Sequence, residues 1–568
     1  MSNLAKLFEE IQTTSSLYSK KERRDNSARY GVRHTKEFER IEALPERDWE
    51  TAADLNQLCE LMTNSYKTPQ GTMKLWPVQA AALRDIHDSK GLFAPIAVGA
   101  GKALISLLAP VVLQARRPVL LVPAQLRDQT LRKVLPEMRE HWKLHPDLKV
   151  IGYSELSLEK NSTLLADIQP DLIVADECHY LKNLRAGRSR RVRRFMRELP
   201  DTVFVGLSGT VTNRTLRDYW HIIQWCLKEN TPLPLNWPEF QDWANALDEN
   251  VDRFDRMRPG ALERFAQAGE NARQGYARRL RATAGVVATS KTAIGTSLRV
   301  GRKQLAVPDA LKSLMKQVQN DRETPAGDIL AEPVDLWRCL QQLSCGFYYR
   351  WDPQPPFDWL EARRKWKKLV RHKIQHSTKF DTELQVWNDS SKSSDEITRT
   401  CYETWKAIKD TFEPNSVPVW VDDFLLRDAS DWLRSNVGVC WVQHTAVGHR
   451  LSKLAGLPYF GAGDDGILDI EGSCIASVRA HGTGKNLQRY ALNLVLAPPS
   501  SGQVWEQLLG RTHRPGQKAD TVEVEVYQHT PVFVQSMTTA MNDARYLEDS
   551  LGSKQKLLYA DFTFEVRK

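Results

Sequence analysis

No two of the eight cysteines in this chain form a Cys-x-x-Cys pair. Cys59, Cys178, Cys226, Cys339, Cys345, Cys401, Cys440 and Cys474 occur singly, which argues against zinc sites and against a disulfide framework. The opening residues, MSNLAKLFEE, carry no signal-peptide pattern, so a reducing cytoplasm is the expected setting. Long hydrophobic runs are also scarce. Residues 92–115 come nearest to a membrane span, but Lys102 and a glycine turn interrupt them, and a strand, loop and helix are the better reading. Short internal repeats are missing as well.

What remains is the composition of a soluble globular protein, with 41% hydrophobic and 26% charged residues. At 568 residues the chain is too long for one core, and three or four domains are expected. The net charge of +9 favours a polyanionic partner without proving one.

One stretch, APIAVGAGK at residues 94–102, organises the rest. Pro95 to Val98 read as a short buried strand, and Ala103 to Leu108 as a helix start. Between them Gly99, Ala100, Gly101 and Lys102 have the composition of a phosphate loop. Glycines let backbone N–H groups close on a phosphate, while the helix dipole and a lysine add positive potential. The usual loop continues with Ser or Thr, and here Ala103 takes that place.

Around this stretch the chain alternates apolar strands with helices. The expected strands are 95–98, 119–123, 171–176 and 202–209, then 437–443, 474–480, 492–498 and 522–528. That alternation predicts an α/β fold with parallel sheets covered on both faces. The expected organisation is a charged helical extension at 1–70, a first α/β domain at 71–230, a mainly helical, Trp-rich insertion at 231–415 and a second α/β domain at 416–568.

The run DLIVADECHYLKN sets Asp176 and Glu177 at the end of a strand, where open α/β sheets place their ligand sites. Two carboxylates beyond a phosphate loop can divide the chemistry of phosphoryl transfer. Asp176 can hold magnesium, directly or through water, and Glu177 can polarise the attacking water.

These residues carry a resemblance. GAGK and DECH resemble the first and second motifs of helicase superfamily two. LWPVQ at 75–79 is similar to the segment upstream of the loop, implying that Gln79 reads adenine. VPAQL at 122–126 resembles motif Ia, implying that Pro123 and Gln125 meet the nucleic-acid backbone. LSGTVTN at 207–213 resembles motif III, with Ser208, Gly209 and Thr210 coupling nucleotide state to the track. Its Asn213, and the helix expected at 215–227, are closer to the Swi/Snf-like branch. SVRAHGTGKNLQ at 477–488 resembles motif V. There Gly482, Thr483 and Gly484 permit close approach to phosphate, and Gly482 is counted with the nucleotide site. EQLLGRTHRPGQ at 506–517 resembles motif VI, implying that Gln507, Arg511 and Arg514 complete the catalytic set.

The resemblance covers residues 70–230 and 415–530. It implies two RecA-like motor domains, with ATP and magnesium as cofactors and ATP hydrolysed in the cleft between them. It further implies movement on DNA, duplex favoured, with no membrane and a monomer favoured. The compact motor is similar to bacterial or bacteriophage members, so the cytoplasm is that of a bacterium or of an infected host. Two alternatives stay open: a strand-separating helicase on single-stranded DNA or RNA, and a weakly hydrolysing ATP-gated clamp. Two basic stretches also stand out, RAGRSRRVRRFMRE at 185–198 and the aromatic-rich FYYRWDPQPPFDWLEARRKWKKLVRHK at 347–373. Each can be either a nucleic-acid contact or an ordinary solvated or packed face.

Overall fold

In the computed structural model, described for residues 31–209, 211–212, 214–289, 296–330, 332–377, 379–464 and 466–562, two parallel sheets carry the architecture. The first contains β1 (Leu92–Ala94), β2 (Pro118–Val122), β3 (Lys149–Gly152), β4 (Leu172–Asp176) and β5 (Val203–Leu207), in the order β1-β5-β4-β2-β3. All its pairings are parallel. The protein is therefore α/β.

Successive residues of a strand point to opposite faces, and here each face has its own core. Phe93, Val119, Leu121, Ile173, Ala175 and Phe204 enter one cluster. Leu92, Ala94, Leu120, Val122, Leu172, Val174, Val205 and Leu207 enter the other. Burial on both sides explains why these strands read as unbroken apolar runs.

The first strand lies three residues earlier than its expected position at 95–98. Leu92 pairs with Val205 and Ala94 with Leu207, and the ladder stops there. Pro95 has no N–H to extend it. Residues 95–101 are thereby released to form the loop.

The remaining strands are β6 (Ser297–Lys303), β7 (Phe347–Trp351), β8 (Ser416–Trp420), β9 (Gly438–Val442), β10 (Tyr459–Phe460), β11 (Cys474–Ser477), β12 (Leu492–Val495), β13 (Thr521–Tyr527) and β14 (Asp561–Phe562). The second sheet is parallel, in the order β10-β11-β9-β12-β13-β6-β14, and β7 and β8 form a separate antiparallel pair. β6 and β7 fall inside the stretch read as mainly helical. In β6, SLRVGRK, only Leu298 and Val300 are buried, so its arginines, lysine and glycine masked the strand pattern. Its register against β13 is continuous over seven residues.

The chain groups into two compact units. Unit 1 comprises Met1–Lys291, Arg364–Lys406 and Tyr546–Lys554; unit 2 comprises Thr292–Arg363, Ala407–Arg545 and Gln555–Lys568. The stretch 231–415 is thus shared between them. In its unit 1 portion, Trp366, Leu369, Val370, Val386 and Tyr402 build a small core of their own. Of the N-terminal extension, the helices Lys36–Glu42 and Leu55–Tyr66 are seen, while residues 1–30, with the charged run KKERRDNSAR at 20–29, lie outside the described residues. Among the described residues no helix is long and apolar enough to cross a membrane.

Candidate active site

The loop after β1 turns through two left-handed glycines, Gly99 (φ 92°) and Gly101 (φ 77°), and the helix Lys102–Val112 begins at once. At Gly101 a side chain is excluded twice over. The backbone angle disfavours an L residue, and an added Cβ would lie 2.2 Å from Gln79 Nε2. Ala100 lies between the two glycines, and Ala103, the second residue of the helix, is exposed.

Lys102 turns back under the loop. Its Nζ donates to the carbonyls of Ile96 (3.0 Å) and Ala97 (3.3 Å) and lies 3.9 Å from Glu177 Oε1. Gly209 packs against this group: a Cβ there would crowd Val98 Cγ2 at 3.1 Å and Ile96 O at 3.3 Å and would touch Lys102 Nζ at 3.4 Å.

Glu177 follows β4 in a left-handed conformation (φ 55°) that turns its carboxylate towards the loop lysine. Ser208 Oγ donates to Glu177 Oε2 at 3.2 Å. His179 Nδ1 lies 3.2 Å from the same oxygen and 2.8 Å from Ser208 Oγ, so three polar groups close a buried triangle. Burial pushes the Glu177 pKa up, but Lys102, His179 and Ser208 outweigh it and hold the carboxylate below the ordinary range. Asp176 moves the other way. Burial and the adjacent Glu177 charge raise its pKa, against an opposing pull from Lys102. Burial also lowers the His179 pKa, against an opposing pull from Glu177.

Gln79 is buried and braces the loop from the other side. Its Oε1 accepts from Trp76 N (2.8 Å), and its Nε2 donates to Gly101 O (3.1 Å). One amide hydrogen and one lone pair remain for a base.

Several supporting side chains carried no motif. Thr289 Oγ1 accepts from Ala97 N at 2.9 Å, Ser553 Oγ donates to Pro95 O at 3.3 Å, and Tyr153 donates to Asp176 O at 2.9 Å. All three act on backbone groups of the loop or of the strand end, from positions remote in sequence. Only folding brings them there.

Of the motif III residues, Ser208 and Gly209 sit beside Lys102 and Glu177 as described, while Thr210 and Asn213 lie outside the described residues. Of the motif Ia pair, Pro123 is buried at the end of β2 and Gln125 is exposed, its Nε2 3.5 Å from Tyr180 Oη.

In unit 2, the loop after the short helix Val478–His481 carries Gly482, Thr483 and Gly484, the last at φ 80°. Thr483 Oγ1 donates to Gln507 Oε1 at 3.1 Å, tying that loop to the helix Gly502–Thr512. The two arginines there differ. Arg511 is buried, with Nε donating to Gln507 O (2.8 Å) and Nη1 to Lys485 O (3.1 Å). Arg514 is only partly buried, and its Nε has no partner among the described residues. Burial alone lowers its pKa.

Parts of the two basic stretches are built into the fold, while Arg185, Arg193 and Arg197 of the first and Arg364, Lys365, Lys367 and Lys368 of the second are exposed. In the helix Gly187–Glu198, Arg188 donates to Tyr180 O (2.6 Å), and Arg191 to Leu156 O and Leu158 O. Arg190 and Arg194 grip the buried Asp381. In the aromatic-rich stretch Trp359 and Trp366 are buried, and Arg363 lies over the Trp359 ring, 4.9 Å from its centroid. Those indoles serve packing, which leaves no face for a base.

The chain matches no protein-family model, and no curated protein matches it.

Proposed function

We propose that this chain is an ATP-dependent translocase or helicase acting on nucleic acid, with duplex DNA the favoured track and two RecA-like domains as its motor. The observation that carries this reading is the grouping of Lys102, Glu177 and Ser208. A loop lysine meets an ionised glutamate at a strand end, and that glutamate is gripped by the serine leading into the next segment. In this reading the Ser208 hydroxyl links the state of Glu177 to the segment that follows β5, as coupling hydrolysis to movement requires.

In this reading the loop N–H groups and Lys102 bind the phosphates of ATP. Glu177, kept ionised, orients and activates the attacking water. Gln79 holds the loop against the upstream helix and offers its remaining hydrogen-bonding capacity to adenine. Arg514, whose Nε no other described group claims, is the guanidinium assigned to charge developing on the γ-phosphate. Arg511 holds the Gln507 and Lys485 backbone in place.

The donor chemistry suits magnesium. Asp176, a residue of intermediate exposure at the end of β4, offers one carboxylate. Magnesium typically takes one or two carboxylates and completes its shell with water and substrate phosphate. It would supply charge neutralisation to the phosphates.

A second reading rests on Ala103. Its methyl cannot ligate a metal, and a weakened metal site favours an ATP-gated clamp that hydrolyses slowly. Phosphate release measured with duplex DNA, single-stranded DNA and RNA separates the two. Stimulated turnover supports the motor, and turnover that no nucleic acid raises supports the clamp. Displacement of a triplex strand, run beside a forked duplex, then tells translocation from unwinding.

A further inference from the structure

The helix Gly187–Glu198 places Arg190, Arg193, Arg194 and Arg197 at i, i+3, i+4 and i+7, on one face. That face does not simply look into solvent. Together with Arg185 before the helix and residues 375–377 and Asp381 of the second unit 1 segment, it lines a cleft of about 340 Å³. The cleft is built from stretches almost two hundred residues apart.

Asp381, 1% exposed, organises its floor. Arg190 Nε donates to Asp381 Oδ1 at 3.0 Å and Arg190 Nη2 to Ser377 O at 2.6 Å, while Arg194 pairs with Asp381 Oδ2. The single carboxylate is thus taken up by Arg190 and Arg194, with Arg191 Nε 4.0 Å from Oδ2. Arg185, Arg193 and Arg197 are exposed on the rim and have no ion-pair partner among the described residues. Five guanidinium groups therefore face one carboxylate. Such an excess gives the cleft a positive potential that an anion would complement.

We infer that this cleft is a binding site for the phosphate backbone of a nucleic acid, separate from the motif Ia and motif V residues. It rests on the nucleic-acid reading above and adds a phosphate site which that reading does not assign. Charge complementarity selects the occupant. Guanidinium forks suit phosphate oxygens bidentately. Arg193 and Arg197, four residues apart, are about 6 Å apart along the helix axis. A duplex strand presents a phosphate every 3.4 Å or so along its axis, so the two rim groups reach different phosphates of one strand. No Phe, Tyr or Trp is among the residues lining the cleft, although His376 is, so the contact inferred is to backbone phosphate.

The test uses the full chain and a fluorescently labelled DNA duplex, with affinity measured across a series of salt concentrations. In one variant Arg185, Arg193 and Arg197 are all changed to Ala, and in a second all three are changed to Lys. Thermal melting without DNA is the fold control. The expected result is a salt slope lower by about 2 to 3 in the alanine variant, at roughly 0.9 for each phosphate no longer neutralised. The lysine variant, which keeps the charge, should hold the wild-type slope. An alanine variant with an unchanged slope overturns the cleft as a phosphate site while leaving the motor reading intact. A lysine variant that loses the slope as the alanine variant does also overturns it, because charge would then not be the cause. A wild-type chain that binds no nucleic acid at any salt overturns the functional reading, and this inference with it.

Discussion

Lys102 Nζ lies 3.9 Å from Glu177 Oε1, although the two residues belong to different strand-end loops on either side of β5. A cation that would neutralise phosphate and a carboxylate that would activate water are thereby held in one place, and each conditions the other. Lys102 helps to keep Glu177 ionised, and Glu177 helps to fix Lys102 beneath the loop. Their removal should have separable consequences.

Lys102→Ala should reduce ATP affinity itself, while Glu177→Gln should keep ATP bound and reduce turnover by roughly a hundred- to ten-thousandfold, the range of a positioned acid–base group. Equilibrium binding of a fluorescent nucleotide beside single-turnover phosphate release separates the two. Equal loss of affinity in both variants would mean that the pair acts only to hold the loop.

The arginines of unit 2 should differ in kind. Arg511→Ala removes two buried side-chain hydrogen bonds, to the carbonyls of Gln507 and Lys485, each worth about 0.5–1.5 kcal/mol. It should therefore lower the melting temperature. Arg514→Ala removes no hydrogen bond at Nε, so stability should hold, while turnover falls on the order of a thousandfold if Arg514 acts as a finger. Melting curves and phosphate release on the same preparations check this. A destabilised Arg514→Ala with normal turnover would reverse the assignment.

Gly101→Ala should disable the loop without touching a charged group. The new Cβ would collide with Gln79 Nε2, and the backbone would have to abandon its positive φ or the amide its bond to Gly101 O. The expected outcome is a loss of ATP affinity comparable to that of Lys102→Ala, read by the same nucleotide titration.

Asp176 gives stability a pH dependence of definite sign. Its pKa is raised in the folded state, so above the ordinary aspartate range of about 4 the folded chain binds more protons than the unfolded one. Stability contributed by this group therefore falls as pH rises from there towards the raised value. Glu177 has the opposite shift, and its contribution fades only as pH drops below the ordinary glutamate range. Asp176→Asn should flatten the decline, with the difference in melting temperature from wild type widening between about pH 4 and neutral. A difference that stays constant over that interval would show that Asp176 is ionised throughout.

Ala103→Thr should lower the magnesium concentration needed for half-maximal ATPase without reducing the maximal rate. Ala103 is exposed at the first turn of its helix, so the hydroxyl can be added without displacing a neighbour. A magnesium titration of both proteins checks it. An unmoved midpoint would place the metal away from this turn.

The layered α/β architecture could be read in the sequence wherever a strand is buried on both faces. PVLLV in β2, LIVAD in β4 and GVCWV in β9 contain enough apolar side chains to show themselves. β6 could not be read that way. It is strand because β13 lies beside it, and only two of its seven side chains are buried. The arginine-rich helix could be recognised as a helix, but the fate of each arginine could not. Asp381, the group that claims Arg190 and Arg194, is almost two hundred residues away.

By itself the sequence determined the chemistry on offer: a glycine turn ending in Lys102, an acidic pair at 176–177, a methyl at 103 and arginines at 511 and 514. These are properties of residue type and short spacing, which local backbone geometry turns directly into a loop, a strand end or a helix start. Tertiary structure alone decided which of these groups meet. It set Ser208 and His179 on Glu177, braced the loop with Thr289 and Ser553, buried Arg511 while leaving Arg514 Nε unclaimed among the described residues, and gathered five arginines around one cleft. The physical reason is that hydrogen bonds and ion pairs act over a few ångströms, and only the packing of strands and helices against their cores fixes which distant side chains come that close.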